Sequence, residues 1–240
     1  METKKPQNQV NEAAEQAAAL KNAKRIKIAK YASIGVLAVV AGVLVYIFAF
    51  RNPAIEKGRE AMGQADNALN DSINVINQLE NMGDSASLAS AAAKRADLIK
   101  VYENVAQNEG YDASNRAYLM VAILSYENGD YKKCLASLEE YSLTGAVLDA
   151  GVLSLKGDCH VNLNQFDEAL KCYDEAISEC DENQELAPFF MAKQARIYNE
   201  KKDYAKELEV YETIKKEYPK YPILEVDKYI ERAKALGAKK

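Results

Sequence analysis

One histidine, five prolines and eleven glycines in 240 residues leave this chain short of the parts most chemistry needs. A catalytic triad needs partners that are missing around His160, and a histidine-rich metal site needs more than one histidine. There is no glycine-rich phosphate loop, no G-x-S-x-G, no H-E-x-x-H and no kinase signature. Acidic pairs such as Asp174-Glu175 and Asp181-Glu182 read as solvated helix faces rather than acid–base couples. The four cysteines include no CxxC pair and are too few for a disulfide framework in so long a chain. Cys134 and Cys159 read as small buried hydrophobes, with one bridge left open and its partners unassigned. No stretch alternates with period two, so strands are not expected, and glycine and proline fall between helical segments. The reading is an all-α chain without enzyme activity, cofactor or metal.

What the chain does contain is a run of 20 uncharged residues, Tyr31 to Phe50 (YASIGVLAVVAGVLVYIFAF). At 1.5 Å per residue it would make a helix about 30 Å long, the thickness of a bilayer core. Lys21, Lys24, Arg25, Lys27 and Lys30 precede it, against Arg51, Lys57 and Arg59 after it, which favours a cytoplasmic N-terminus. A cleaved signal peptide would have a short head and a small-residue cleavage site. Here 30 residues precede the run and its end reads Phe48-Ala49-Phe50-Arg51, so it reads as an uncleaved signal anchor. Charge divides at the same place. Residues 1–50 hold 7 Lys/Arg and 3 Asp/Glu, residues 51–240 hold 24 and 33. An acidic exported part is a poor match for nucleic acid, whose binding rests on neutralising phosphates.

Four segments follow: a basic helical head over 1–30, the anchor over 31–50, a helical connector over 51–114, and a repeat domain over 115–240. Asn52-Pro53 should interrupt the helix, with Pro53 in the first turn of a new one. Ala54 to Leu79 carries apolar residues at helical spacing, and Ser85 or Ser87 would cap a second helix reaching about Val105. Beyond residue 115 one pattern recurs. Ala122, Tyr131, Cys134, Leu138 and Tyr141 return as Gly157, Phe166, Ala169, Tyr173 and Ala176. They return again as Ala195, Tyr204, Glu207, Tyr211 and Ile214, closing with Pro219. Small residues on paired helices would let the backbones approach, while an elbow aromatic fills the wedge between them. Glu207 stands where a small residue is expected, which puts close packing of the third unit in question. Lys100-Val101-Tyr102-Glu103 echoes Glu209-Val210-Tyr211-Glu212, suggesting an earlier partial unit, and 223–236 reads as a capping helix. One such hairpin cannot bury its apolar face alone, so the units must stack.

The pattern resembles the tetratricopeptide repeat. That resemblance implies a helical solenoid whose first helices line a groove for protein partners. By spacing, the groove residues are Arg116, Leu119, Ile123 and Tyr126, then Ser154, Asp158, Val161 and Asn162, then Phe189, Arg196 and Asn199. The mixture of apolar anchors and polar groups suits an extended or helical peptide. Some repeat proteins grip a C-terminal carboxylate with paired Lys and Asn. Here Leu119, Ile123 and Leu155 hold those places, so that mode is not expected. His160 falls where the repeat usually has tyrosine and reads as a packing residue.

The whole layout is similar to the YfgM-like family of ancillary Sec-translocon subunits. The resemblance implies a bacterial inner-membrane protein with a periplasmic C-terminal domain. Its implied partners are a SecYEG-type translocon, a membrane-anchored periplasmic chaperone and secreted clients. Two other readings stay open: an envelope-assembly adaptor for outer-membrane or cell-wall machinery, and an organelle import receptor with cytosolic repeats.

Overall fold

A computed structural model describes residues 35–238 apart from 146, 181, 182 and 222, together with 21, 24, 25 and 32. The helical head expected over 1–30 therefore lies outside the described residues, except for Lys21, Lys24 and Arg25, which are helical. No strand occurs among the described residues. The chain divides into two units, Met1–Glu56 and Lys57–Lys240.

In the first unit, α1 (35–46) leads into a π-helical turn, Ile47–Arg51, and then into the start of α2 (Asn52–Met82). The expected break at Asn52-Pro53 is absent. The backbone stays helical, and the Asn52 N–H donates to the Ile47 carbonyl five residues back. A proline ring crowds the carbonyl four residues before it, and a widened turn just ahead makes room. Val36, Leu37, Phe48 and Phe50 are all exposed. Within the helical stretch Gly35–Met82 an 18-residue window has a mean hydropathy of 1.9, with none of it buried. Such a helix is long and apolar enough to cross a membrane.

The second unit is a series of helix hairpins. From Lys57 onward α2 pairs with α3 (Ser85–Asn108), and Met62, Ala65 and Ile76 pack among Leu98, Ile99 and Tyr102. There follow α4 (Tyr111–Glu127) with α5 (Tyr131–Glu140), α6 (Val147–Asn162) with α7 (Phe166–Glu179), and α8 (Leu186–Glu200) with α9 (Tyr204–Glu217). The last helix, α10 (Ile223–Gly237), packs on α9 and matches the expected capping helix. The α2–α3 turn is capped by Asp84 rather than by Ser85 or Ser87. Its carboxylate accepts from the Ala86 and Ser87 N–H groups, while the Ser87 hydroxyl donates to it. Those bonds hold the Asp84 carboxyl below its usual range, the Ser87 hydroxyl contributing most.

The three later hairpins turn through the same conformation. Gly129, Asn164 and Lys202, spaced like the repeats, all have φ between 58° and 77°. Asp130 and Asp203 then cap α5 and α9 by accepting from Lys133 and Lys206 N–H groups. Each hairpin closes over a small residue of its first helix, namely Ala65, Ala122, Gly157 and Ala195, the three alanines fully buried. At Gly157 the fit is tightest, since an added Cβ would lie 2.6 Å from Tyr173 Cε1. Tyr102, Tyr173 and Tyr211 are the largest fully buried side chains. Tyr102 thus occupies the place that its sequence echo suggested.

Glu207 does not loosen the last hairpin. It is wholly buried, accepting from Asn199 Nδ2 at 2.9 Å and from the Arg232 guanidinium of α10. The connection between α5 and α6 is pinned from two sides. Asn115 exchanges two hydrogen bonds with the Ser142 backbone, and buried Asp149 accepts from the Thr144 and Gly145 N–H groups. All four cysteines are buried thiols. Cys134 and Cys159 share one apolar cluster, where the neighbouring Cys134 thiol first and burial second raise the Cys159 pKa.

Candidate functional site

The first helices α6 and α8 bring four of the expected groove residues into one group. Lys193, on α8, reaches Ser154 Oγ at 2.9 Å and both Asp158 carboxylate oxygens at 2.9 and 2.6 Å, all on α6. Its ammonium also lies 5.1 Å from the centre of the Phe189 ring and 5.6 Å from that of Tyr173. Ser154 is buried, Asp158 half-buried, and Phe189 is 46% exposed. Asn162 and the Asp158 charge sit beside Tyr126, whose ring meets Tyr131 edge-on at 5.5 Å. Burial first and the Asp158 charge second raise the Tyr126 phenol pKa. The result is an aromatic and polar strip with Phe189 at its surface.

Other expected groove residues are spent elsewhere. Leu119 packs against the α4–α5–α6 cluster, and Val161 packs with Ala169, Tyr173 and Ile197. Ile123 is half-buried. Arg116 turns back to Asp66 on α2 at 3.3 Å, and Asn199 donates to Glu207. Arg196 is exposed, and among the described residues it makes no ion pair.

Sequence reasoning missed Lys193, the residue that ties the strip together. The available signal was its position four residues after Phe189, which places both on one helix face. It also missed Arg95, 7% exposed, which joins Glu80 on α2 and Glu127 on α4 across the first hairpin. His160 sits at the α6–α7 elbow with Nδ1 2.7 Å from Gln165 Oε1. Among the described residues no cluster of His, Cys, Asp and Glu could hold a metal ion.

A polar pattern recurs behind this face. In the α6–α7 hairpin the Tyr173 hydroxyl donates to Asp158 Oδ1 at 2.5 Å, and Lys193 of the next helix neutralises that carboxylate. In the α2–α3 hairpin the Tyr102 hydroxyl donates to Asp66 Oδ1 at 2.9 Å, and Arg116 of the next helix supplies the cation. Both aspartates directly follow the small residue of their helix, Ala65 and Gly157. Burial, followed by the hydrogen bond to an anion, raises both phenols. The α4–α5 hairpin has Ile123 and Leu138 in the two places, so acceptor and donor are lost together. The α8–α9 hairpin keeps the donor, Tyr211, but has Arg196 in place of the aspartate.

Comparison with known families agrees with the hairpin register. No curated protein sequence matches the chain. Residues 191–221, running from α8 through the Lys202 elbow and α9 to Tyr221, match the tetratricopeptide repeat family. The chain therefore carries a tetratricopeptide repeat within a stack of helical hairpins, an architecture that serves as an interaction scaffold for protein partners.

Proposed function

We propose that the protein is a membrane-anchored, non-enzymatic periplasmic scaffold, an ancillary subunit of a SecYEG-type translocon. In this role it works with a membrane-anchored periplasmic chaperone on emerging secreted proteins. The observation that carries the reading is the pairing, on one chain, of an unburied apolar helix with an acidic stack of hairpins. The excess of Lys and Arg before the apolar run supports a cytoplasmic N-terminus. The run over 31–50 is then the span, 51–114 the connector and 115–240 the repeat domain.

The strip made by Phe189, Lys193, Ser154, Asp158 and Tyr126 is the partner surface. Lys193 is already matched by Asp158, so the aromatic rings supply affinity and the polar groups supply register. A photo-crosslinking residue at Phe189, followed by pull-down from native membranes, is expected to recover translocon or chaperone components. Recovery of outer-membrane or cell-wall machinery instead would favour the envelope-adaptor reading. Cleavage of residues 57–240 by protease added to intact spheroplasts, whose periplasmic face is open to the medium, distinguishes this topology from a cytosolic one. Protection that lasts until the inner membrane is permeabilised would overturn it.

A further inference from the structure

The α8–α9 hairpin contains a donor without an acceptor. Among the described residues the buried Tyr211 hydroxyl has no hydrogen-bond partner, on a side chain only 1% exposed. Losing both members of a buried polar pair is close to neutral, as Ile123 and Leu138 achieve in α4–α5, whereas losing one leaves the other's desolvation uncompensated. The missing member is defined by the sister hairpins. There an aspartate carboxylate, following the small residue of the first helix, accepts from the tyrosine, with a cation opposite. Here Arg196 follows Ala195, so the chain places a cation where its own carboxylate would stand.

Charges of both signs face this place. Burial first and the Glu207 charge second push the Tyr211 phenol up to about 12, while Arg232 and, more weakly, Arg196 pull it down. Glu207 is already bonded to Asn199 and Arg232 and has no part in holding Arg196. Tyr229 stacks on Tyr211 with ring centres 5.1 Å apart, and Tyr221 packs into the same cluster and senses the Arg196 charge. What remains among the described residues is a hydroxyl donor without an acceptor, a guanidinium without an ion pair, and aromatic walls, while the nearby Glu207 carboxylate is taken up by Asn199 and Arg232.

We propose that the Arg196–Tyr211 place is a receptor for an acidic side chain of a bound partner, whose carboxylate completes the third aspartate–tyrosine–cation set. The inference rests on the scaffold reading, because the acid must arrive from another polypeptide along the α8 face. A side-chain acid is favoured over a chain terminus by shape. Asp66 and Asp158 enter on a single methylene stalk, whereas a terminal carboxylate brings its own Cα substituents to the slot. Because the Tyr211 hydroxyl is buried, entry requires the side chains that cover it to part, while exposed Arg196 turns in from solvent to meet the carboxylate, a rotamer change that an exposed residue makes readily.

The test uses the full chain in detergent micelles, labelled at arginine Nε and tyrosine Cζ, and followed by NMR. The probe is N-acetyl-aspartate N-methylamide, with N-acetyl-asparagine N-methylamide and N-acetyl-alanine as controls for the charge and for a terminal carboxylate. The aspartate compound should move the Arg196 and Tyr211 signals saturably. Arg196→Leu should weaken it about tenfold, as expected for a charge-assisted hydrogen bond. Tyr211→Phe, which keeps the volume, should weaken it by a smaller factor. Equal shifts from the asparagine compound, equal binding of N-acetyl-alanine, or no saturation would each overturn the assignment. If partners still crosslink at Phe189 when the aspartate compound fails, the acid receptor falls and the scaffold stands. Loss of the crosslinks as well would sink both.

Discussion

The α6–α7 and α8–α9 hairpins turn through the same backbone elbow and share a buried tyrosine, yet they are closed by different means. In α6–α7 the helices meet over Gly157 and Ala169, and the fit is steric. In α8–α9 the second small residue is replaced by Glu207, a buried carboxylate matched by Arg232 and Asn199. A repeat can therefore accept a charge at a close-packed position when the next helix supplies its partner. The cost is dependence on that helix, since the carboxylate of α9 is satisfied partly from α10. The two hairpins also differ in their tyrosines, one hydrogen-bonded to an anion and one unbonded.

The largest expected effect comes from breaking the charge closure. Glu207→Ala strands Asn199 and opens a void against α10. It should cost about 3 kcal/mol, the low end for breaking a buried pair, because Arg232 is 41% exposed and can turn to water. Urea unfolding of the full chain in micelles, followed by circular dichroism, reads this directly. The double variant Glu207→Leu with Arg232→Leu should recover most of the loss, as apolar replacements of buried pairs do. A double variant no better than the single one would show that the ion pair is not what closes the hairpin. The steric closure is broken by Gly157→Ala, expected to cost about 2 kcal/mol because the Tyr173 ring must yield while held by Asp158. An unchanged urea midpoint would contradict the close approach.

Much of this architecture is legible in the sequence for a physical reason. Small residues and elbow aromatics must recur at fixed spacing wherever identical hairpins stack, so Ala122, Gly157 and Ala195 declare the fold without any structure. The same logic fails for side-chain networks. Lys193 and Asp158 lie on different helices 35 residues apart, and no periodicity connects them. Glu207 looks like an error in the pattern because its partner Arg232 lies beyond the repeat that contains it. The groove residues Leu119 and Val161 fall on the expected helices, but a rotation of a few tens of degrees decides between groove and core. At Asn52-Pro53 the residues signal a helix end, while the long apolar helix around them absorbs the proline as a π-turn. Local propensity there yields to continuity.

The tyrosine contrast is sharpened by removing one oxygen from each hairpin. Tyr173→Phe takes a donor from Asp158 and should cost about 1.5 kcal/mol, the value for a hydrogen bond to a charged group. Tyr211→Phe removes only an unbonded hydroxyl, so the urea midpoint should stay level or rise. Equal losses in the two variants would mean that Tyr211 has an acceptor after all.

The smallest expected effect concerns the elbows themselves. Asn164 and Lys202 hold the same left-handed conformation, φ 58° in each, at equivalent places. Asparagine visits that region readily, while lysine carries a Cβ that crowds the following carbonyl, at about 1 kcal/mol. Lys202→Gly should therefore raise stability by up to about 1 kcal/mol, reduced by the greater freedom glycine gives the unfolded chain. Asn164→Gly should change little. Matched urea midpoints for the pair would show that the Lys202 side chain gains enough from its neighbours to offset the strain, and the two elbows would then be equivalent in energy as well as in shape.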